Sequence, residues 1–109
     1  MTTTILAMVL ALASGEASTS DATETVHIKN FAFGPAKLTV PAGTVVRFVN
    51  DDGEAHTVTA EDRSFDSGGL DTANAWAYRF AKPGRFAYFC ALHPYMKGTI
   101  VVVRTGANQ

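Results

Sequence analysis

Near the C-terminal end of the 109-residue chain runs Cys90-Ala91-Leu92-His93-Pro94-Tyr95-Met96, a C-x2-H-x2-M pattern that puts a thiolate, an imidazole and a thioether within seven residues. These are soft or borderline donors, which select copper over the hard cations that carboxylates and carbonyls prefer. A segment this short aims its three side chains at one point only if it turns tightly. One more imidazole would complete a Cys-His-His set with a weak axial Met, the ligand set of a mononuclear copper site that moves single electrons. Past residue 13 the chain holds one Cys, one Met and three His. His27 falls on the polar parity of Val26-His27-Ile28-Lys29, so His56, which follows the loop Asp51 to Ala55, is the fitting fourth ligand.

Taken singly, each of these residues has a plainer reading: a buried Cys is a small core hydrophobe, a Met a gap filler and an isolated His a surface residue. Their joint spacing favours the metal. A Cys-His hydrolase would need a free thiolate and an orienting Asn or Asp in a recognisable arrangement, which the sequence does not supply. Zinc takes a thioether poorly. A binuclear copper domain needs two cysteines, and Cys90 stands alone. A copper carrier or storage protein stays open beside an electron carrier, because the same donors hold Cu(I).

Nine Lys and Arg against ten Asp and Glu leave a formal charge of −1, without the basic stripe that nucleic acid demands. One cysteine also excludes an internal disulfide, so packing or a metal must hold the fold. At the N-terminus, the apolar run Ile5 to Ala13 precedes small and polar residues, with Ala11-Leu12-Ala13 as an A-x-A cleavage site. The run is too short to span a membrane, which takes about 20 residues. It reads as an export signal, although no Lys or Arg precedes it, and a frayed or membrane-tethering helix is the other reading. Residues 1–20 are thus expected to form a leader and residues 21–109 a single domain, exported to the periplasm or beyond. An unpaired cysteine in an exported chain makes sense as a metal-bound thiolate.

The elements that must position these ligands read as all-β, with short apolar runs separated by turn residues. Val26 and Ile28 alternate with polar neighbours. Lys37 to Val40 lies between the turns Phe33-Gly34-Pro35 and Pro41-Ala42-Gly43. Thr44 to Asn50 is rich in β-branched residues and reads as a strand, and His56 to Ala60 is expected to be a strand as well. Residues 61–74 read as a loop. Trp76, Tyr78 and Phe80 alternate with Ala77 and Arg79, marking core rather than a cofactor box, and Lys82-Pro83-Gly84 turns the chain into Arg85 to Cys90. Gly98 to Arg104 is the closing strand, with a loose tail after it. Seven to eight short strands in one small domain predict a two-sheet Greek-key sandwich.

The stretch from Val26 to Val103 resembles a cupredoxin, and its short ligand loop, with His93 to Gly98 reading HPYMKG, is similar to the amicyanin type. The resemblance implies a copper ion held by His56, Cys90, His93 and Met96. It implies that Asn50 helps fix the ligand loop and donates toward the ligand sulfur. Thr57, where amicyanins usually carry Asn, and Phe48, where Trp is common, depart from that pattern. His93 would present its ring edge to solvent within an apolar patch of Ala91, Leu92, Pro94 and Tyr95, the expected electron port. The resemblance further implies a monomeric carrier shuttling between Cu(II) and Cu(I), catalysing no bond chemistry, with transient redox partners such as a dehydrogenase donor and a c-type cytochrome acceptor. Acidic residues from Asp51 to Asp71 face only Arg63, whereas no acidic residue follows Asp71, a segregation that suits steering of a partner.

Overall fold

In the computed structural model the chain is described over residues 22–105, so the leader expected over residues 1–20 and the tail from residue 106 lie outside the described residues. Eight strands form two four-stranded mixed sheets, and no helix occurs among the described residues. In the first sheet, β1 (Thr23–Ile28) lies between β2 (Phe33–Gly34) and β4 (Thr44–Asn50), with β6 (Ala75–Phe80) on the far edge. β1 and β4 run parallel, and β4 and β6 antiparallel. The second sheet runs β3 (Lys37–Pro41), β8 (His93–Val103), β7 (Gly84–Cys90) and β5 (Thr59–Ala60). β3 and β8 run parallel, and β7 and β8 antiparallel. The arrangement is the Greek-key sandwich that the strand pattern predicts.

Strand alternation builds the core. On β4, Thr44, Val46, Phe48 and Asn50 point inward and are buried. Val26 and Ile28 join them from β1, and Val40, Tyr88, Ile100 and Val102 meet them from the second sheet. Fully burying such an apolar side chain contributes about 1.5–3 kcal/mol, and at the centre the aromatic rings interlock as well. Tyr88 packs edge-on to Phe33 at 4.8 Å and to Phe48 at 5.5 Å between ring centroids. Gly98 makes room for it: a Cβ there would come within 2.3 Å of the Tyr88 ring. The Tyr88 hydroxyl has no hydrogen-bond partner among the described residues, and burial pushes its phenol pKa up. Trp76 and Tyr78 are half-buried and pack against the core below the fully buried Phe80.

Two expected strands differ. His56 to Ala60 is a strand only at Thr59–Ala60, because the neighbour that would complete it is the irregular segment 61–74. That segment folds back and pairs raggedly, through bridges at His56–Leu70 and Thr59–Asp66 and a Ser67 hydroxyl that accepts the Val58 N–H. The closing strand begins at His93 rather than Gly98. The apolar-polar alternation is broken by Pro94 and Tyr95, both exposed, which hides the strand's first turn from a periodicity reading.

Candidate metal centre

β7 ends on Cys90 and β8 starts on His93, so the two pair directly across a turn of only Ala91 and Leu92. The preceding pair is Phe89 with Lys97, which leaves Pro94, Tyr95 and Met96 as a bulge on the β8 side. Bulges re-aim side chains and are common beside functional sites. Here the first x2 of the C-x2-H-x2-M pattern is a hairpin turn and the second is this bulge, after which Met96 returns inward at 2% exposure.

His56 arrives from the other side. Asn50, the last inward residue of β4, is fully buried and hydrogen-bonded on all sides. Its amide nitrogen donates to the carbonyls of Glu54 and Leu70, each at 2.8 Å, and its oxygen accepts the Asp52 N–H at 2.9 Å. These bonds curl the chain from Asn50 to His56, and the His56 backbone is then clamped to Leu70 in both directions. The ring of His56 is fully buried, with Nε2 2.9 Å from Asp52 Oδ2 and Nδ1 3.6 Å from Cys90 Sγ.

His93 Nδ1 also lies 3.6 Å from Cys90 Sγ, and the three donor atoms fall within 4.8 Å of one another. Trigonal ligands around one metal, at about 2.3 Å to sulfur and 2.0 Å to nitrogen, would separate sulfur from nitrogen by about 3.7 Å. Both sulfur–nitrogen spacings therefore match those of a trigonal metal site, and among the described residues these three could hold one. Met96 is buried in the same bulged segment.

Around the donors, Thr57 does what was expected of Asn50. Its backbone N–H points at Cys90 Sγ at 3.3 Å. Both amide hydrogens of Asn50 are committed to carbonyls, so that side chain braces the segment leading to His56 rather than the Cys90–Met96 loop and does not donate to sulfur. The Thr57 hydroxyl accepts the Ala91 N–H at 2.7 Å and passes its own hydrogen to Thr59, whose hydroxyl donates to Asp66. That relay ties the Ala91–Leu92 turn to the β5 segment.

At the surface, His93 is half-buried among exposed Ala91, Leu92, Pro94 and Tyr95. Leu92 is 55% and Tyr95 69% exposed, and the Tyr95 ring stands 6.3 Å from that of His93. Two neighbours were missed from sequence. Phe31, between β1 and β2, sets its ring edge-on to both imidazoles, 5.2 Å from His56 and 5.0 Å from His93. Asp52 accepts the Asn30 N–H at 2.6 Å and the Phe31 N–H at 2.9 Å besides contacting His56. Burial alone would raise the Asp52 pKa, but the Phe31 and Asn30 N–H donors and His56 outweigh it and hold the carboxyl below its ordinary value. Asn30 and Phe31 both adopt left-handed backbone, at φ 55° and 57°, a conformation that no apolar periodicity signals.

Comparison with known proteins agrees with this geometry. The Cupredoxin-like domain family matches the chain over residues 2–102. Over 82 residues the chain is 27% identical to amicyanin-alpha of Methylorubrum extorquens, covering 71% of this chain and 69% of that protein. Among solved structures it is similar to a purple cupredoxin from Nitrosopumilus maritimus, with a TM-score of 0.70 and 26% identity over 73% of this chain and 99% of that one. It is also similar to the Cu-containing nitrite reductase of Thermus scotoductus SA-01, with a TM-score of 0.72 and 31% identity, covering 84% of this chain but 25% of the enzyme chain. From its sandwich fold and this family match, the chain belongs to the cupredoxin-like domain family.

Proposed function

We propose that this chain is an exported one-electron carrier whose copper would be held by His56, Cys90 and His93, with Met96 as a weaker fourth donor. The observation that carries the reading is the convergence of two imidazole nitrogens on one sulfur, each 3.6 Å from it, supplied by two separately braced segments. The bound metal would supply a Cu(II)/Cu(I) couple. The protein's part is to keep the donors in nearly one geometry for both states. Cys90 and His93 are held by strand pairing, and His56 by its backbone bonds to Leu70. The Thr57 N–H stabilises negative charge on the thiolate.

His93, half-buried beneath an apolar rim, is the ring through which an electron would enter or leave, and Leu92, Pro94 and Tyr95 are where a partner would dock. A surface of this kind suits brief encounters, with affinity set by a few apolar anchors. We read the partners as redox proteins, a dehydrogenase on the donor side and a c-type cytochrome on the acceptor side, on the strength of the amicyanin-like ligand loop. Export rests on the Ile5 to Ala13 run, with residues 1–20 as the leader, residues 21–109 as the working domain and a monomer as its working state.

The discriminating experiment is reduction of the copper-loaded protein in the presence of a Cu(I) chelator. An electron carrier keeps its metal and returns to the starting spectrum on reoxidation, cycle after cycle. Transfer of the copper to the chelator on first reduction would replace this reading with that of a copper carrier.

A further inference from the structure

We infer that Asp52 is a positioning residue of the centre, whose carboxylate orients the His56 ring and fastens the Phe31 loop over both imidazoles. The inference rests on the proposal that copper binds here, and extends it to a residue outside the ligand set.

Three donors meet on the two oxygens of this side chain. Oδ1 takes the Asn30 N–H, and Oδ2 takes the Phe31 N–H and the Nε2 of His56. A carboxylate only accepts, so the His56 proton must sit on Nε2, which leaves the Nδ1 lone pair aimed at the side where Cys90 Sγ stands 3.6 Å away. A carboxylate hydrogen-bonded to a ligand imidazole in this way fixes its tautomer and makes it a more basic donor. The main chain of Asp52 is held on both sides, its N–H by the Asn50 oxygen and its carbonyl by the Thr72 hydroxyl at 2.7 Å. The side chain therefore has little freedom to leave the ring.

The same carboxylate reaches the Phe31 loop. Asn30 and Phe31 are in left-handed backbone, which asparagine tolerates but which is unfavourable for phenylalanine, and their N–H groups both end on Asp52. One side chain thus sets the angle of a ligand ring and the seat of the aromatic residue that packs against it. Asp51 is the internal contrast. It carries the same charge one residue earlier, but pairs with the exposed His27 at 2.6 Å.

The negative charge behind His56 favours the more positive oxidation state, so its removal makes the copper easier to reduce. Asp52→Asn keeps the shape but loses the charge, and can offer only one accepting oxygen to donors that approach from two sides. Loss of such a partner costs about 10–100-fold in metal affinity. Falling more on Cu(II) than on Cu(I), each tenfold of that difference raises the reduction potential by about 59 mV. We expect Asp52→Asn to remain coloured, bind Cu(II) at least tenfold more weakly and show a raised potential, while Asp51→Asn shifts the potential distinctly less. Equal shifts in the two variants, or a wild-type potential in Asp52→Asn, would overturn the assignment.

A second measurement needs no variant. In the diamagnetic Cu(I) form of the wild-type protein, nitrogen-15 NMR should show His56 with a protonated, slowly exchanging Nε2–H, and the Phe31 amide should be protected from hydrogen exchange. A His56 protonated on Nδ1, or a rapidly exchanging Nε2–H, would contradict the inference. Failure of the wild-type protein to take up copper at all would instead count against the proposed function, so the two ideas fail separately.

Discussion

Cys90 to Met96 delivers three of the four proposed ligands from one hairpin, whereas Asn50 to His56 delivers a single ligand and draws on distant parts of the chain to do it. In the first segment the work is local. Cys90 and His93 pair across two residues, and a three-residue bulge follows. In the second, Asn50 binds the carbonyls of Glu54 and Leu70, and Asp52 gathers N–H groups from Asn30 and Phe31 and a hydroxyl from Thr72. The local half is written as a spacing. The distant half is written as a set of buried polar groups that have to find partners once the sheets close.

The difference predicts how each half breaks. The largest effect on the fold belongs to the distant half. Asn50→Ala leaves two buried bonds unmade, to Leu70 and from Asp52, besides the one to Glu54, and at about 1–3 kcal/mol for each unsatisfied group the loss should be on the order of 2–5 kcal/mol. Denaturant unfolding of the metal-free protein would measure it, and a loss under about 1 kcal/mol would mean that the loop is held by something else.

In the local half, changes at Met96 should alter chemistry with little effect on stability. Met96→Gln exchanges a thioether for a harder oxygen donor of similar length, so the site should stay coloured while the potential falls, because oxygen favours Cu(II). Voltammetry of the variant gives the sign. A rise, or complete loss of colour, would remove Met96 from the proposed ligand set.

The smallest structural effect is expected at the proposed port. Leu92 is 55% exposed, so Leu92→Asp should leave stability within about 0.5 kcal/mol and the visible spectrum unchanged. Docking would suffer, with the transfer rate to a redox partner reduced about tenfold, the scale of one lost anchor residue. Stopped-flow rates beside spectra check both halves of that statement, and a wild-type rate would move the port elsewhere.

The same contrast explains what could be read before the fold was seen. The β-branched run Thr44 to Asn50 became a strand with the expected bounds, and the alternation at Val26, His27 and Ile28 put the right side chains inside. The Cys90, His93 and His56 donors do converge, since two of them share a hairpin and the third lies at the foot of a recognisable strand. The donor to the sulfur was misassigned, because it is a main-chain group: Thr57 contributes an N–H that any residue type could contribute. Phe31 and Asp52 were missed for a related reason. Their roles depend on a left-handed turn and on contacts across more than 20 residues of chain, as in the Asn30 to Asp52 bond, and neither has a period or a spacing.

The central claim, that the thiolate of Cys90 binds copper together with two imidazoles, is tested most directly by titrating the metal-free protein with Cu(II) while recording the visible spectrum, beside the same titration of Cys90→Ser. The account predicts an intense thiolate-to-copper band in the wild-type protein that saturates at one equivalent, and no such band in the variant. A wild-type complex without the band, or a band that survives the loss of the sulfur, would contradict it.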